Sequence, residues 1–414
     1  MENPAYSKKH WLVLVSICLM VGSSIGLLVN SNGVFYTPMA SDLNVLRGTV
    51  SMHGTFLSIA TAFASLIVSP VIERFGWKKT IFFGAICGFL GTFLLAFTSS
   101  MLLIYFFGIV RGIGSAFFSM VPMTMIVNQW FHEKKGLAIG LSSGTSGVIG
   151  ALAAPIFAWL IEFSNWRFAF IGMSLFSVLL TLPILLIPYT FNPRDEKLLP
   201  YGYKEEKNTS KPIRLTSSDD TTRATRIVFS AVMVIGLLNT MIIFVSQHFP
   251  GYGESVGLSP EIASLMLSAV MIGNLSGKFS FGSISEKIGT IKTSLSMITI
   301  STIAILILIF SQQPFALVLG SFLFGFLFSV GGVALPLLST ELFDPITGVK
   351  VYSQVNFIAS IGGAISVSLV GFIYDYTGSF IPSFVMALIF NAINVLAILI
   401  ARKYHKKTQD PLSP

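Results

Sequence analysis

Twelve runs of about twenty mostly apolar residues constrain this chain more than anything else in it. An α-helix rises 1.5 Å per residue, so roughly 20 such residues cross the ~30 Å hydrocarbon core of a bilayer with the backbone amides paired inside the helix. The runs fall near 11-36, 50-72, 80-98, 101-127, 136-161, 166-190, 227-249, 259-282, 291-311, 314-340, 350-374 and 379-401. Only 11% of the 414 residues are charged, where soluble domains carry about a quarter, so lipid rather than water is the main solvent. The first run opens after Lys8 and Lys9 and continues to Tyr36 with no small-residue cleavage site, as a retained helix does. The expected fold class is an all-α membrane protein with twelve transmembrane helices.

The net charge of +8 does not point to nucleic acid, because the basic residues sit in short loops beside the apolar runs, as topology signals do. With the N-terminus inside, only Arg47 and Arg167 fall on outer loops. Lys78, Lys79, Lys134, Lys135, Lys287, Lys292, Arg402, Lys403, Lys406 and Lys407 then all face the cytoplasm. The expectation is a multi-pass cell-membrane protein with both termini cytoplasmic. Cys18 and Cys87 lie inside apolar runs, which leaves no support for a disulfide framework or a zinc site. No nucleophile is set beside a base and no ligand cluster is spaced for a metal, so neither an enzyme nor a cofactor is expected.

The chain reads as a duplication. Glu73, Arg74 and Gly76 follow the second run, and Glu286, Lys287 and Gly289 follow the eighth at one constant offset. Pro122 and Pro336 match at nearly the same offset, each ahead of a stretch ending in Phe131 or Phe343. Two six-helix pseudo-repeat bundles are expected, 1-190 and 227-414, and such repeats place a substrate site near the midplane between them. The segment 191-226 mixes acids, bases, Pro and Ser and reads as a solvated cytoplasmic linker.

The two loops resemble the loop motif of the major facilitator superfamily, an acid, a base, a glycine and further bases. That resemblance implies the major-facilitator fold and a cytoplasmic gate made by Glu73, Arg74, Gly76 and Lys78 and by Glu286, Lys287 and Gly289; ordinary anchoring to the membrane surface is the plainer reading. Three further segments resemble the monocarboxylate transporter and oxalate/formate antiporter family: Asn128 to Leu141 with its Trp130-Phe131 pair, Gly33 to Met39, and Gly273-Asn274-Leu275-Ser276-Gly277-Lys278. In that family an arginine in the last segment binds the substrate carboxylate. Here the base is Lys278, a point charge without the planar fork of a guanidinium, and Asn274 stands where animal monocarboxylate transporters carry an aspartate.

Arg111 and Lys278 are the two bases well inside apolar runs, and an intramembrane charge is costly enough to mark function. Arg111 either binds substrate or ties down carbonyls and hydroxyls such as Ser115 and Ser119; Lys278 either binds substrate or snorkels to the surface. Asn30, Tyr36, Asn274 and Gln354 are candidate lining residues, while His53 and His248, near outer helix ends, read as structural. No acid lies mid-run, which argues against a cationic cargo. The resemblance implies a secondary transporter of a small organic carboxylate, monomeric, working by alternating access with protons or a counter-anion. A carrier of a neutral solute or a drug exporter on the same fold is the rival reading.

Overall fold

The computed structural model describes residues 7–203, 219–343 and 345–409. Eleven helices there are long and apolar enough to cross a membrane, and a bent pair makes the twelfth. In chain order they are α1 (Lys8–Leu43), α2 (Arg47–Ser65 with Val68–Phe75), α3 (Trp77–Leu95), α4 (Met101–Trp130), α5 (Lys135–Phe163) and α6 (Trp166–Leu186). The second set is α7 (Thr225–Ser255), α8 (Pro260–Ile288), α9 (Thr290–Phe310), α10 (Pro314–Ser339), α11 (Val351–Thr377) and α12 (Ile381–Tyr404). Every apolar run of the sequence is one of these helices. With the amides satisfied internally, Leu, Ile and Phe can stand exposed along them, as Leu102, Phe163 and Phe310 do.

Prolines explain several of the irregularities. A proline removes one i→i−4 hydrogen bond and crowds the carbonyl four residues back. Pro70 faces Leu66, where α2 breaks with a 57° bend. Pro122 faces Phe118, where α4 interrupts its winding. Pro336 faces Gly332, inside a π-helical turn at Val330–Ala334 of α10. The largest irregularity is in α1, which is π-helical over Gly22–Asn30 with no proline to account for it and 3-10 over Asn32–Phe35, where Pro38 faces Val34, before α winding resumes at Tyr36.

The duplicated loops share one backbone. Gly76 stands at φ 87° and ψ 147°, and Gly289 at φ 84° and ψ 156°, a region open essentially to glycine alone. Each amide reaches back to the preceding helix, Gly76 N to the Ile72 carbonyl and Gly289 N to that of Ser285, both at 2.9 Å. Each carbonyl then accepts from a threonine four residues on, Thr80 and Thr293, again both at 2.9 Å.

By contact the helices gather into two compact units. One holds Met1–Tyr203 with Ser246–Ile272 and Val367–Phe380; the other holds Lys204–Val245, Gly273–Ser366 and Ile381–Pro414. Within the first unit, the start of the expected linker is packed onto the helices, with Arg194, Asp195 and Lys197 left exposed. His10 Nε2 bonds the Leu199 carbonyl at 2.8 Å, Tyr201 N donates to the Trp130 carbonyl at 2.7 Å, and the Tyr201 carbonyl accepts from His132 N and Glu133 N. Trp130 Nε1 donates to Thr190, and Lys9 pairs with Glu196. Residues 187–203 are thus a strap laid across the near ends of α1, α4 and α5. Its charges disguised three tyrosines, Tyr189, Tyr201 and Tyr203, which pack against Trp77 and Trp130, His10 and Trp11, and His132. Burial pushes the Tyr189 phenol above its ordinary range, with Ser16 Oγ opposing. Residues 204–218 of the expected linker lie outside the described residues.

Candidate functional site

In the second unit, α8 carries Asn274 and Lys278 one turn apart on one face. Opposite them, the π turn of α10 presents two adjacent glycines. A Cβ on Gly332 would lie 3.1 Å from Lys278 Cε and 3.7 Å from Nζ, and one on Gly331 would lie 3.2 Å from the Asn239 Nδ2 of α7. Without side chains there, α7, α8 and α10 bring an ammonium and two amides into one neighbourhood. Lys278 is half-buried and has no hydrogen bond or ion pair among the described residues. Both amide atoms of Asn239 and the Oδ1 of Asn274 are buried without partners. Buried polar groups are ordinarily satisfied, and leaving one unmet costs about 1–3 kcal/mol. An ammonium beside the unmet Nδ2 donor of Asn239 is suited to an anion, and the snorkelling reading of Lys278 gives no account of that donor.

Arg111 sits in the first unit and is fully buried. Gly91 of α3 makes room for its stem, 2.8 Å from where a glycine Cβ would be. One guanidinium nitrogen meets His53 Nε2 at 3.0 Å, and the other donates to the Leu28 carbonyl at 3.1 Å and to Asn32 Oδ1 at 3.2 Å. Leu28 lies in the π-helical part of α1, whose irregular carbonyls need such a donor. In this conformation Arg111 therefore braces α1, with Nε alone unmet. Its partners are not Ser115 and Ser119; Ser115 bonds the Ser24 carbonyl instead.

The other candidates scatter. Asn30 is buried and donates to the Ser146 carbonyl at 3.3 Å, while its own carbonyl accepts from Gln247. Tyr36 is buried with its hydroxyl against Gly54, its ring 6.1 Å from His53 and 5.3 Å from His248. Gln354 is exposed on α11. Of the loop residues, Lys78 donates to the Ile187 carbonyl at 3.0 Å and lies over the Trp77 and Tyr189 rings, and Arg74 lies over Phe75. Glu73, Glu286 and Lys287 are exposed and form no ion pair among the described residues.

Arg47, expected on an outer loop, is instead 5% exposed at the start of α2. The sequence hides this because its partners, His248 and Asp375, come from α7 and α11. His53 and His248 are likewise more than packing residues, since each accepts from a buried arginine.

The family model of the Major Facilitator Superfamily matches residues 12–253 and again 227–414. Monocarboxylate transporter 13 of Bos taurus is 26% identical over 384 residues, covering 91% of this chain and 85% of that protein. Among solved structures, the nucleoside transporter NupG superposes with a TM-score of 0.70 at 12% identity, over 95% of this chain and 99% of that one. A D-xylose-proton symporter superposes with a TM-score of 0.64 at 16% identity, over 95% and 96%.

Proposed function

The chain belongs to the Major Facilitator Superfamily, as a transporter and not an enzyme, and on that premise we propose that it carries a small organic carboxylate across the cell membrane by alternating access of its two six-helix repeats. Both termini are cytoplasmic in this reading, because that orientation puts the loop lysines inside. One observation carries the substrate class: the Lys278 ammonium stands unpartnered in the same neighbourhood as the unmet Nδ2 donor of Asn239. The similarity to a protein named monocarboxylate transporter supports the same class. The likeness to nucleoside and sugar transporters is one of fold alone. Arg111 is already committed to α1, so Lys278 is the principal ligand and Asn274 its neighbour.

The test is equilibrium binding of a carboxylate and its neutral amide analogue to the wild type, Lys278→Arg and Lys278→Gln. A charge-assisted hydrogen bond contributes about 1.5–3 kcal/mol, so Lys278→Gln should weaken the carboxylate about 10- to 140-fold and leave the amide nearly unchanged. Lys278→Arg should retain most of the affinity. If Lys278→Gln weakens both ligands alike, or neither, the cargo is not recognised through its charge and a neutral solute becomes the better reading.

A further inference from the structure

The cluster around Arg47 lies in the first unit, at the ends of α1, α2, α7 and α11 remote from the N-terminus, and the substrate reading leaves it unused. Asp375 of α11 caps α2, accepting from Arg47 N at 3.0 Å and Gly48 N at 2.6 Å. The guanidinium runs inward, donating through Nη1 to Thr37 of α1 and through Nε to His248 Nδ1 of α7 at 3.3 Å. It lies over Phe380, and its Nη2 is buried with no partner. The far side of the imidazole, Nε2, is 2.8 Å from the Val367 carbonyl of α11.

These contacts fix the protonation state of His248. A guanidinium can only donate, so Nδ1 must offer a lone pair; a carbonyl can only accept, so Nε2 must carry the hydrogen. The imidazole is therefore neutral while the cluster is assembled. A proton arriving at Nδ1 occupies the lone pair that Arg47 uses and sets two cations against each other. Proton binding and assembly of the cluster exclude one another.

His248 faces Arg47 of α2 and the Tyr36 ring of α1; around Arg47 in turn stand Tyr36, Glu254 of α7, and Tyr374 and Asp375 of α11. Behind Tyr36 stands His53 with Arg111. Once the cluster parts, the two carboxylates can each hold one of the separated cations, and water can reach the unmet Nη2. Segments from both repeats take part, since Thr37 and Arg47 precede the linker while His248, Val367 and Asp375 follow it. We propose that His248 is a proton-operated latch on the external face: neutral, it ties α1, α2, α7 and α11 together and keeps that face closed; protonated, it releases them. The word external, and the link to transport, rest on the orientation and alternating access proposed above.

The latch can be tested without any substrate. Ser51 is fully buried on α2, its hydroxyl 2.7 Å from where a Cβ on Gly371 of α11 would lie, so a cysteine there is reached only when α2 and α11 part. In a Cys18→Ser, Cys87→Ser background reconstituted in vesicles, the alkylation rate of Ser51→Cys by a membrane-impermeant thiol reagent is divided by that of exposed Ser100→Cys. The ratio cancels the slower reaction of thiols in acid. Stepping the external pH from 7.5 to 5.5 should raise it on the order of tenfold, the worth of one hydrogen bond to a charged group. His248→Gln should remove the pH response. Asp375→Asn, which leaves the histidine in place, should raise the ratio at neutral pH. A flat ratio in the wild type, or an undiminished response in His248→Gln, overturns the latch. Failure of carboxylate binding with the pH response intact would overturn the substrate reading alone.

Discussion

Replacing Gly76 by alanine isolates backbone strain from packing. At φ 87° and ψ 147° the residue occupies a region that L side chains avoid, yet the new Cβ would have no heavy atom within 4 Å. The cost is therefore conformational, about 1–3 kcal/mol. Gly140 provides the contrast: it is equally open but helical, so Gly140→Ala should gain about 1 kcal/mol from helix propensity. The two variants should differ by about 2–4 kcal/mol. At about 2 °C per kcal/mol for domains of 150–250 residues, their apparent melting temperatures should separate by about 4–8 °C. The assay is tryptophan fluorescence of detergent-solubilised protein at one fixed scan rate, because unfolding of such proteins is commonly irreversible. Gly289→Ala, at φ 84° and just as open, should fall with Gly76→Ala. Should Gly76→Ala melt alongside Gly140→Ala, the loops tolerate a side chain and the glycine pair does not owe its place to backbone geometry.

If the loop gates transport, Glu73→Gln should slow substrate exchange severalfold while equilibrium binding stays within twofold, since the carboxylate is exposed on the loop; a larger loss of binding would contradict the gate. Burial alone would raise the Glu196 carboxyl, but Lys9 and the Thr190 amide outweigh it and hold the group below the usual carboxylate range. Its contribution is thus present above the unfolded carboxylate pKa and lost as pH falls through the folded one, so protease cleavage between 187 and 203 should accelerate in acid, and Glu196→Gln should cleave at the fast rate throughout.

What was legible in the sequence was local. An apolar run announces its own helix, and Pro70, Pro122 and Pro336 each disturb the carbonyl four residues back without help from elsewhere. Gly76 and Gly289 were readable as a pair because a positive φ is a property of one residue and its repeat marks the duplication. What was not legible depends on distant partners. Arg47 follows a polar turn and looks like a loop cation until His248 and Asp375 arrive from more than 200 residues away. Lys278 could be singled out as an intramembrane charge, but not the paired glycines of α10 that keep its surroundings open. The strap's packing does not show in the sequence for a compositional reason: its acids and bases dominate a hydropathy average, while its binding to the bundle uses backbone carbonyls and aromatic edges.

That strap decides where the chain can be divided. A cut between the two repeats at the end of α6 would fall after Leu186. A first fragment ending there would leave His10, Trp130 and Phe131 facing water, and would lose the carbonyls of Thr190, Leu199 and Tyr201 that satisfy His10, Trp130, His132 and Glu133. A first fragment that keeps these bonds runs through Tyr203, and a tag or inserted domain belongs after it.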